Sequence, residues 1–413
     1  MRVLIVSTYD IAGGASRSSY RLHQSLLSEG IDSHILVQKK LSNDHSVVEV
    51  DSKLERKFAE IRPFIDYFPV RFYKKRTDTL FSPAYFPFSS IIKKINEINP
   101  DVVHLQWISG GMLKIKDLAN IKAPIVWGLN DMWSFTGGCH YDEHCGRYQK
   151  SCGKCKVLGS SKEKDWSYRL QKQKQKSYSK IKNLTVVGHS KWLADCARNS
   201  SVFKDKNVVN MPTPIDIKRF EPLDKNFCRG IFNLPKNKKL ILFGAMGPTS
   251  DKRKGFIELS EAIDMLDIDN VELIIFGSGK PKVPTELKFK THYISRINDD
   301  ISLQILYSAV DVMIVPSIQE NLSNIILESL SCATPVVAFD IGGNGDMVKH
   351  KYNGYLAKAF DTSDLSVGIE WIINNSDYEQ ICLNSRKKIK EEFSNKVVAN
   401  KYINFYSQLL KSS

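Results

Sequence analysis

Short apolar strands followed by helical segments recur along this chain in two series, and that alternation restricts the fold more than any single motif. Residues 3–6 (VLIV) are a β-branched run followed by Ala12, Gly13 and Gly14. Leu22, Leu26 and Leu27 then share one helical face before Gly30 closes the segment. Residues 33–37, 101–105 (DVVHL), 124–129 (PIVWGL) and 184–187 (LTVV) read as further strands, several with helical spacers between them. This spacing predicts an α/β fold with a parallel sheet covered on both faces. Pro212, Pro214 and Pro222 fit neither helix interiors nor central strands, and mark a hinge over residues 209–222. A second series follows, with strands ILFGAM, VELIIFG, VMIVPS and PVVAF. The expected organisation is a domain over residues 1–208, the hinge, a second domain over 223–393, and a terminal helix over 394–413. In that helix Val397, Ile403, Tyr406 and Leu410 form an apolar stripe.

A chain of 413 residues with 42% hydrophobic content has material for two cores. Its net charge of +14 predicts an acidic partner: a nucleotide, a phosphate, an anionic lipid surface or nucleic acid. The opening residues carry too short an apolar run for a signal-peptide core, and no stretch approaches the ~18 apolar residues of a membrane span. The expectation is a cytoplasmic protein, soluble or peripheral on a membrane. Eight cysteines without an export signal do not read as a disulfide scaffold.

Two stretches interrupt the alternation. Residues 53–76, inside an insertion over 53–88, hold eight Lys/Arg and three Asp/Glu among Phe58, Phe64, Tyr67, Phe68, Phe72 and Tyr73. That mixture suits an anionic membrane interface, or a solvated charged helix. Residues 162–182 hold eight Lys/Arg and two Asp/Glu, and either add to that face or are a second solvated helix.

The most informative segment is residues 316–335, PSIQENLSNIILESLSCATP. Glu320 follows a buried strand, so it lies at a strand's carboxyl end, where open α/β sheets bind ligands. Asn321, Leu322, Ser323 and Asn324 lead into a helix whose free amides and dipole favour a phosphate. Glu328, about one turn further, suits a ribose. In FGAMGPTSDKRKG (residues 243–255), Lys252, Arg253 and Lys254 precede another helix and can clamp a diphosphate. Gly13 and Gly14, and the GGNG at 342–345, let backbone approach a ligand closely.

Cys139, Cys145, Cys152 and Cys155 read C-x5-C-x6-C-x2-C within an insertion over residues 137–160, with His140 and His144 as spare ligands. They form either a structural zinc site or a loop of reduced cysteines, or hold one oxidised pair. Asp267 and Asp269 resemble a metal–nucleotide motif but precede a strand, away from the carboxyl ends, and read as a surface turn.

These motifs resemble the family 4 glycosyltransferases, retaining enzymes of the GT-B fold, over nearly the whole chain. The resemblance rests on the E-x7-E of Glu320 and Glu328, on PVVAFDIGG and on Lys254–Gly255. NPDVVHLQWISGG and DMWSFTGGCHY are similar to a bacterial subgroup that builds surface polysaccharides. The resemblance implies two Rossmann-like domains facing across a cleft and a nucleotide-diphospho-sugar donor. It also implies a glycan acceptor, lipid-linked at the inner leaflet; with Asp267 and Asp269 read as a surface turn, no catalytic metal is expected. Glu320 would contact the donor sugar and Glu328 the ribose. Lys254 and the amides of residues 322–324 would hold the diphosphate, and Gly13 and Gly14 would line the cleft. The chain departs from the pattern where GAMG lacks the usual Arg, a charge Arg253 would replace. It departs again where Asn130–Asp131 stands for His-Asp and Gln106 for His: either no titrating group is needed there, or Asp131 or His104 takes over. Two other readings remain: a basic nucleic-acid-binding protein, for which no recognised module is present, and a sugar-nucleotide epimerase of the same fold.

Overall fold

Six of the eight residues of the first strand, β1 (Arg2–Tyr9), are buried, as a strand covered on both faces requires. The remaining strands of its sheet are β2 (Asp32–Lys39), β3 (Val47–Val48), β4 (Val102–Leu105), β5 (Ile125–Leu129), β6 (Leu184–Gly188) and β7 (Asn207–Asn210). All pair in parallel, in the order β3-β2-β1-β4-β5-β6-β7. The second sheet contains β8 (Lys239–Gly244), β9 (Val271–Phe276), β10 (Thr291–Ile294), β11 (Val312–Val315), β12 (Val336–Phe339) and β13 (Gly354–Ala357). It is likewise parallel, in the order β10-β9-β8-β11-β12-β13. In both sheets the winding reverses beside the first strand, between β1 and β4 and between β8 and β11. Such reversals open a crevice at the strands' carboxyl ends. The computed structural model describes residues 1–85, 89–244, 251–277 and 287–412.

The chain divides into two units, Met1–Pro214 with Val398–Ser413, and Ile215–Val397. In the first, the terminal helix Asn395–Ser412 completes the core. Val398, Tyr402 and Tyr406, each fully buried, pack with Val3, Ile5, Val102, Val126 and Val187. The buried stripe is therefore Val398–Tyr402–Tyr406. Val397, expected to face the core, is only partly covered, because the helix is rotated by about one position. In the second unit, apolar clusters cover both faces of the sheet. Its entry and exit segments run side by side: Ile215 N–H donates to Phe393 O at 2.9 Å and Asn395 N–H to Ile215 O at 3.1 Å. The Arg386 guanidinium ties the entry segment down through Ile217 O and Phe220 O.

Short helices Lys53–Phe58 and Arg62–Tyr67 and a 3-10 turn Phe68–Phe72 build the first insertion, of which residues 86–88 lie outside the described part. The basic stretch 162–182 is solvated on one face only, and of its Lys and Arg residues Lys174 alone is buried. Its helix Trp166–Tyr178 buries Leu170, Gln171, Lys174 and Tyr178. Lys174 donates to the carbonyls of Trp133 and Thr136. Burial lowers the pKa of its ammonium to about 7. Among the described residues no helix is long and apolar enough to cross a membrane.

Candidate functional site

In the second domain the loops after β8 and β11 are stitched together. Residues 245–250, including most of the GAMG segment, lie outside the described residues. The chain resumes at Asp251, whose carboxylate accepts from Arg253 N and receives the Arg253 guanidinium at 2.7 and 3.1 Å. Arg253 is thus engaged by its own neighbour. Arg253 O accepts from Ile318 N at 2.9 Å. Gly255 has φ +75°, and a Cβ there would stand 1.8 Å from Pro316 O, so only glycine permits this approach. The result is that Lys254 Nζ reaches Glu320 Oε2 at 3.0 Å, with side chains 22% and 14% exposed. Both lie at the switch point between β8 and β11. The helix Asn324–Ser331 begins directly beyond, after buried Asn321, partly buried Leu322 and buried Ser323. Glu328 is 2% exposed and accepts from Tyr307 OH at 2.9 Å. Asp267 and Asp269 are exposed and precede β9 at its amino end.

In the first domain the helix Gly13–Ser28 starts just beyond β1, and a Cβ on Gly13 would meet nothing within 4 Å. At the carboxyl end of β5, Asn130 Nδ2 donates to Gln106 Oε1 at 3.0 Å. Asp131 accepts from Trp107 Nε1 at 3.0 Å, Trp133 N at 2.9 Å and His140 Nδ1 at 2.6 Å. Burial opposes its ionisation, but His140 and these donors outweigh it and hold the carboxyl below its ordinary range. His140 stands near Trp107 and Trp133, with ring centroids 5.6 and 6.2 Å away, and its Nε2 meets Ser82 Oγ at 2.9 Å. A small cavity lined by Gln106, Trp107, Gly128, Asn130, Asp131 and Trp133 opens here. His104 does not take over the missing titrating role. It is fully buried, bonded to Tyr406 OH and Gln106, and burial lowers its pKa to about 3.

His140 entered the sequence reading only as a spare metal ligand. What returns it to Asp131 is the Gly137–Gly138 pair. A Cβ on Gly137 would strike Ser167 O at 2.4 Å, and one on Gly138, at φ +123°, would strike the Phe81 ring at 2.5 Å. His140 N–H donates to Leu80 O and its carbonyl accepts from Met132 N, fixing its backbone.

The zinc alternative gains no support from the geometry. Among the described residues no three His, Cys, Asp or Glu are grouped to hold a metal ion. Cys139, Cys152 and Cys155 are buried, Cys145 is exposed, and none is disulfide-bonded. Burial pushes the Cys152 and Cys155 thiols up to about 12 and about 11. Side chains brace the loop instead: Gln171 Oε1 accepts from Cys152 N and Asp165 Oδ2 from Cys155 N.

Residues 224–393 match the model of the glycosyl transferases group 1 family. An N,N'-diacetylbacillosaminyl-diphospho-undecaprenol alpha-1,3-N-acetylgalactosaminyltransferase of Campylobacter jejuni is 25% identical over 231 residues, 53% of this chain and 59% of that protein. The chain spans between 52% and 59% of the length of the first curated relatives it matches. Among solved structures, sucrose-phosphate synthase of Thermosynechococcus elongatus superposes with TM-score 0.69 at 18% identity, covering 100% of both chains. HepE of Anabaena in complex with UDP-glucose gives TM-score 0.65 at 13% identity, covering 99% of this chain and 100% of that one. With two doubly wound parallel sheets, and a second domain that matches the group 1 glycosyltransferase family over residues 224–393, the chain has the GT-B fold.

Proposed function

We propose that the protein is a retaining family 4 glycosyltransferase. It moves a sugar from a nucleotide-diphospho-sugar to a glycan acceptor, lipid-linked, in bacterial surface polysaccharide (O-antigen, capsule or exopolysaccharide) synthesis. The observation that carries this is the meeting of Lys254 and Glu320 at 3.0 Å on the β8/β11 switch point, beside a helix amino end. As the glycosidic bond to the diphosphate breaks, negative charge gathers on the leaving phosphate. Lys254 and the amides of Leu322, Ser323 and Asn324 stabilise that charge where it develops. Glu320 then turns to the donor sugar's hydroxyls, Glu328 meets the ribose, and Gly13 and Gly14 give the donor close backbone approach. Arg253, forked onto Asp251, holds the loop rather than the phosphate. Lys254 and these amides make a metal unnecessary, and the leaving phosphate takes the acceptor's proton, so Asn130 need not titrate.

The UDP-glucose complex of HepE supports a UDP-sugar-type donor, and the undecaprenol-linked substrate named for the Campylobacter relative supports a lipid-linked acceptor. On this reading the protein works in the cytoplasm, peripheral on the inner face of the membrane. A thermal-shift screen against nucleotide sugars tests the donor. A donor that binds only the folded state raises the melting temperature, and Lys254→Ala removes the shift. A panel of UDP-, GDP-, ADP- and dTDP-sugars that leaves the wild-type transition unmoved overturns the reading.

A further inference from the structure

The segment from Lys53 to Phe72 turns Arg62 and Asp66 inward while six of its large apolar side chains face outward. Ala59, Arg62, Asp66 and Val70, three or four residues apart, are 4%, 3%, 2% and 1% exposed. The polar members have partners inside. Asp66 accepts from Ala84 N and Tyr85 N at 3.2 Å, and Arg62 donates to Gly111 O at 3.4 Å. Val70 packs with Phe81, Val157, Leu158 and Leu170. The opposite side carries Leu54, Phe58, Ile61, Phe64, Phe68 and Phe72, between 41% and 80% exposed. A run of large apolar side chains held outward on an anchored segment marks an interface.

The surrounding charge selects the occupant. Lys53, Arg56, Lys57, Arg71, Lys74, Lys75 and Arg76 are exposed around these side chains. A second copy would set this positive rim against itself. An anionic bilayer accepts both parts: the aromatic side chains enter the boundary between headgroups and acyl chains, and the cations meet lipid phosphates. The seat of the segment matters too. Arg62 and Pro63 rest on Gly110 and Gly111, in the loop after β4 that carries Trp107, a donor to Asp131.

We propose that this face docks the first domain on anionic phospholipid, and that it thereby brings the loop at 106–111 and Asp131 to the headgroup level, where a lipid-linked acceptor presents its sugar. The second half of this proposal rests on the glycosyltransferase reading; the docking itself does not.

Flotation of the full chain with mixed phosphatidylglycerol–phosphatidylcholine vesicles, and with pure phosphatidylcholine vesicles, tests it. Wild type floats with the mixed vesicles, and added salt weakens capture. Phe64→Glu/Phe68→Glu/Phe72→Glu loses capture about tenfold or more, and Lys74→Glu/Lys75→Glu/Arg76→Glu loses the preference for the anionic vesicles. Both variants keep the wild-type melting temperature, since the altered side chains are exposed. Equal capture by both vesicle types, or a triple-Glu variant that still floats like wild type, overturns the proposal. So does a wild-type dimer in sedimentation that becomes a monomer in the Phe variant without either floating. Because no nucleotide sugar enters the assay, a failed donor screen and a failed flotation remain separate results.

Discussion

His140 donates from Nδ1 to Asp131 Oδ2 across 2.6 Å, nine residues back along the chain. The pair stands at the carboxyl end of β5, where Asn130 cannot titrate. An Asn side chain reproduces the Nδ1 donor, whereas Gln reproduces the Nε2 end that faces Ser82. His140→Gln is expected to lower nucleotide-sugar turnover about ten- to a hundredfold, the value of one hydrogen bond to a charged group. His140→Asn should stay within about threefold. Steady-state kinetics with acceptor and donor varied separately reads the difference. Equal losses in the two variants would show that the bond to Asp131 is not what His140 contributes.

Lys254→Ala is expected to cut turnover by about 10²–10³-fold, as for a lost charge-stabilising donor, with little change in melting temperature. Its Nζ is part-exposed and bonds to the side chain of Glu320 rather than to backbone, so the fold does not depend on it. A purified variant working near the wild-type rate removes Lys254 from the phosphate site.

Gly255→Ala should destabilise the second domain by about 3 kcal/mol or more, since it combines a left-handed backbone with a collision against Pro316 O. Urea unfolding followed by hydrogen exchange across residues 215–397 measures the loss. A stability within about 0.5 kcal/mol of wild type contradicts the stitched-loop geometry.

Acid should weaken the first domain well before its carboxylates protonate. Burial lowers the pKa of His23 and His189 to about 4 and of His104 to about 3, from an ordinary 6.5. Between these values and 6.5 the unfolded chain binds protons that the folded chain refuses. The histidine contribution to stability is therefore full above 6.5 and falls as pH drops toward 4. Calorimetry near pH 5 in buffers of different ionisation enthalpy should detect net proton uptake on unfolding. A melting temperature flat from about pH 7.5 to 5 would count against the buried, neutral histidines.

The central strands were legible because both their faces are buried. β1, β5, β11 and β12 read as unbroken apolar runs. The edge strands β3, β7, β10 and β13 escaped, since segments such as NVVN and THYI are short and only half-covered. β7 runs to Asn210, two residues into the stretch expected to be hinge. Lys254 and Glu320 were visible as local motifs, although their mutual contact depends on Gly255 closing two loops. The His140–Asp131 pair was not visible, because it needs a loop to double back over Phe81 and Ser167. The C-x2-C spacing could not decide between zinc and reduced thiols, because spacing is local while ligand geometry belongs to the whole loop. Lys174 sat in a run of charge that sequence alone assigns to solvent, yet it lies beneath Trp133, 4.2 Å from the ring centre.

The helix Asn395–Ser412 has a consequence for biosynthesis. Val398, Tyr402 and Tyr406 are core residues of the unit that begins at Met1, whereas Ile215–Val397 is one uninterrupted stretch. Emerging from the ribosome, the middle of the chain can finish folding first, while the leading portion waits, with Val3 and Ile5 still lacking their cover, for the final turns to arrive. Chaperone demand during translation should accordingly concentrate on the earliest-made half, the reverse of ordinary vectorial folding.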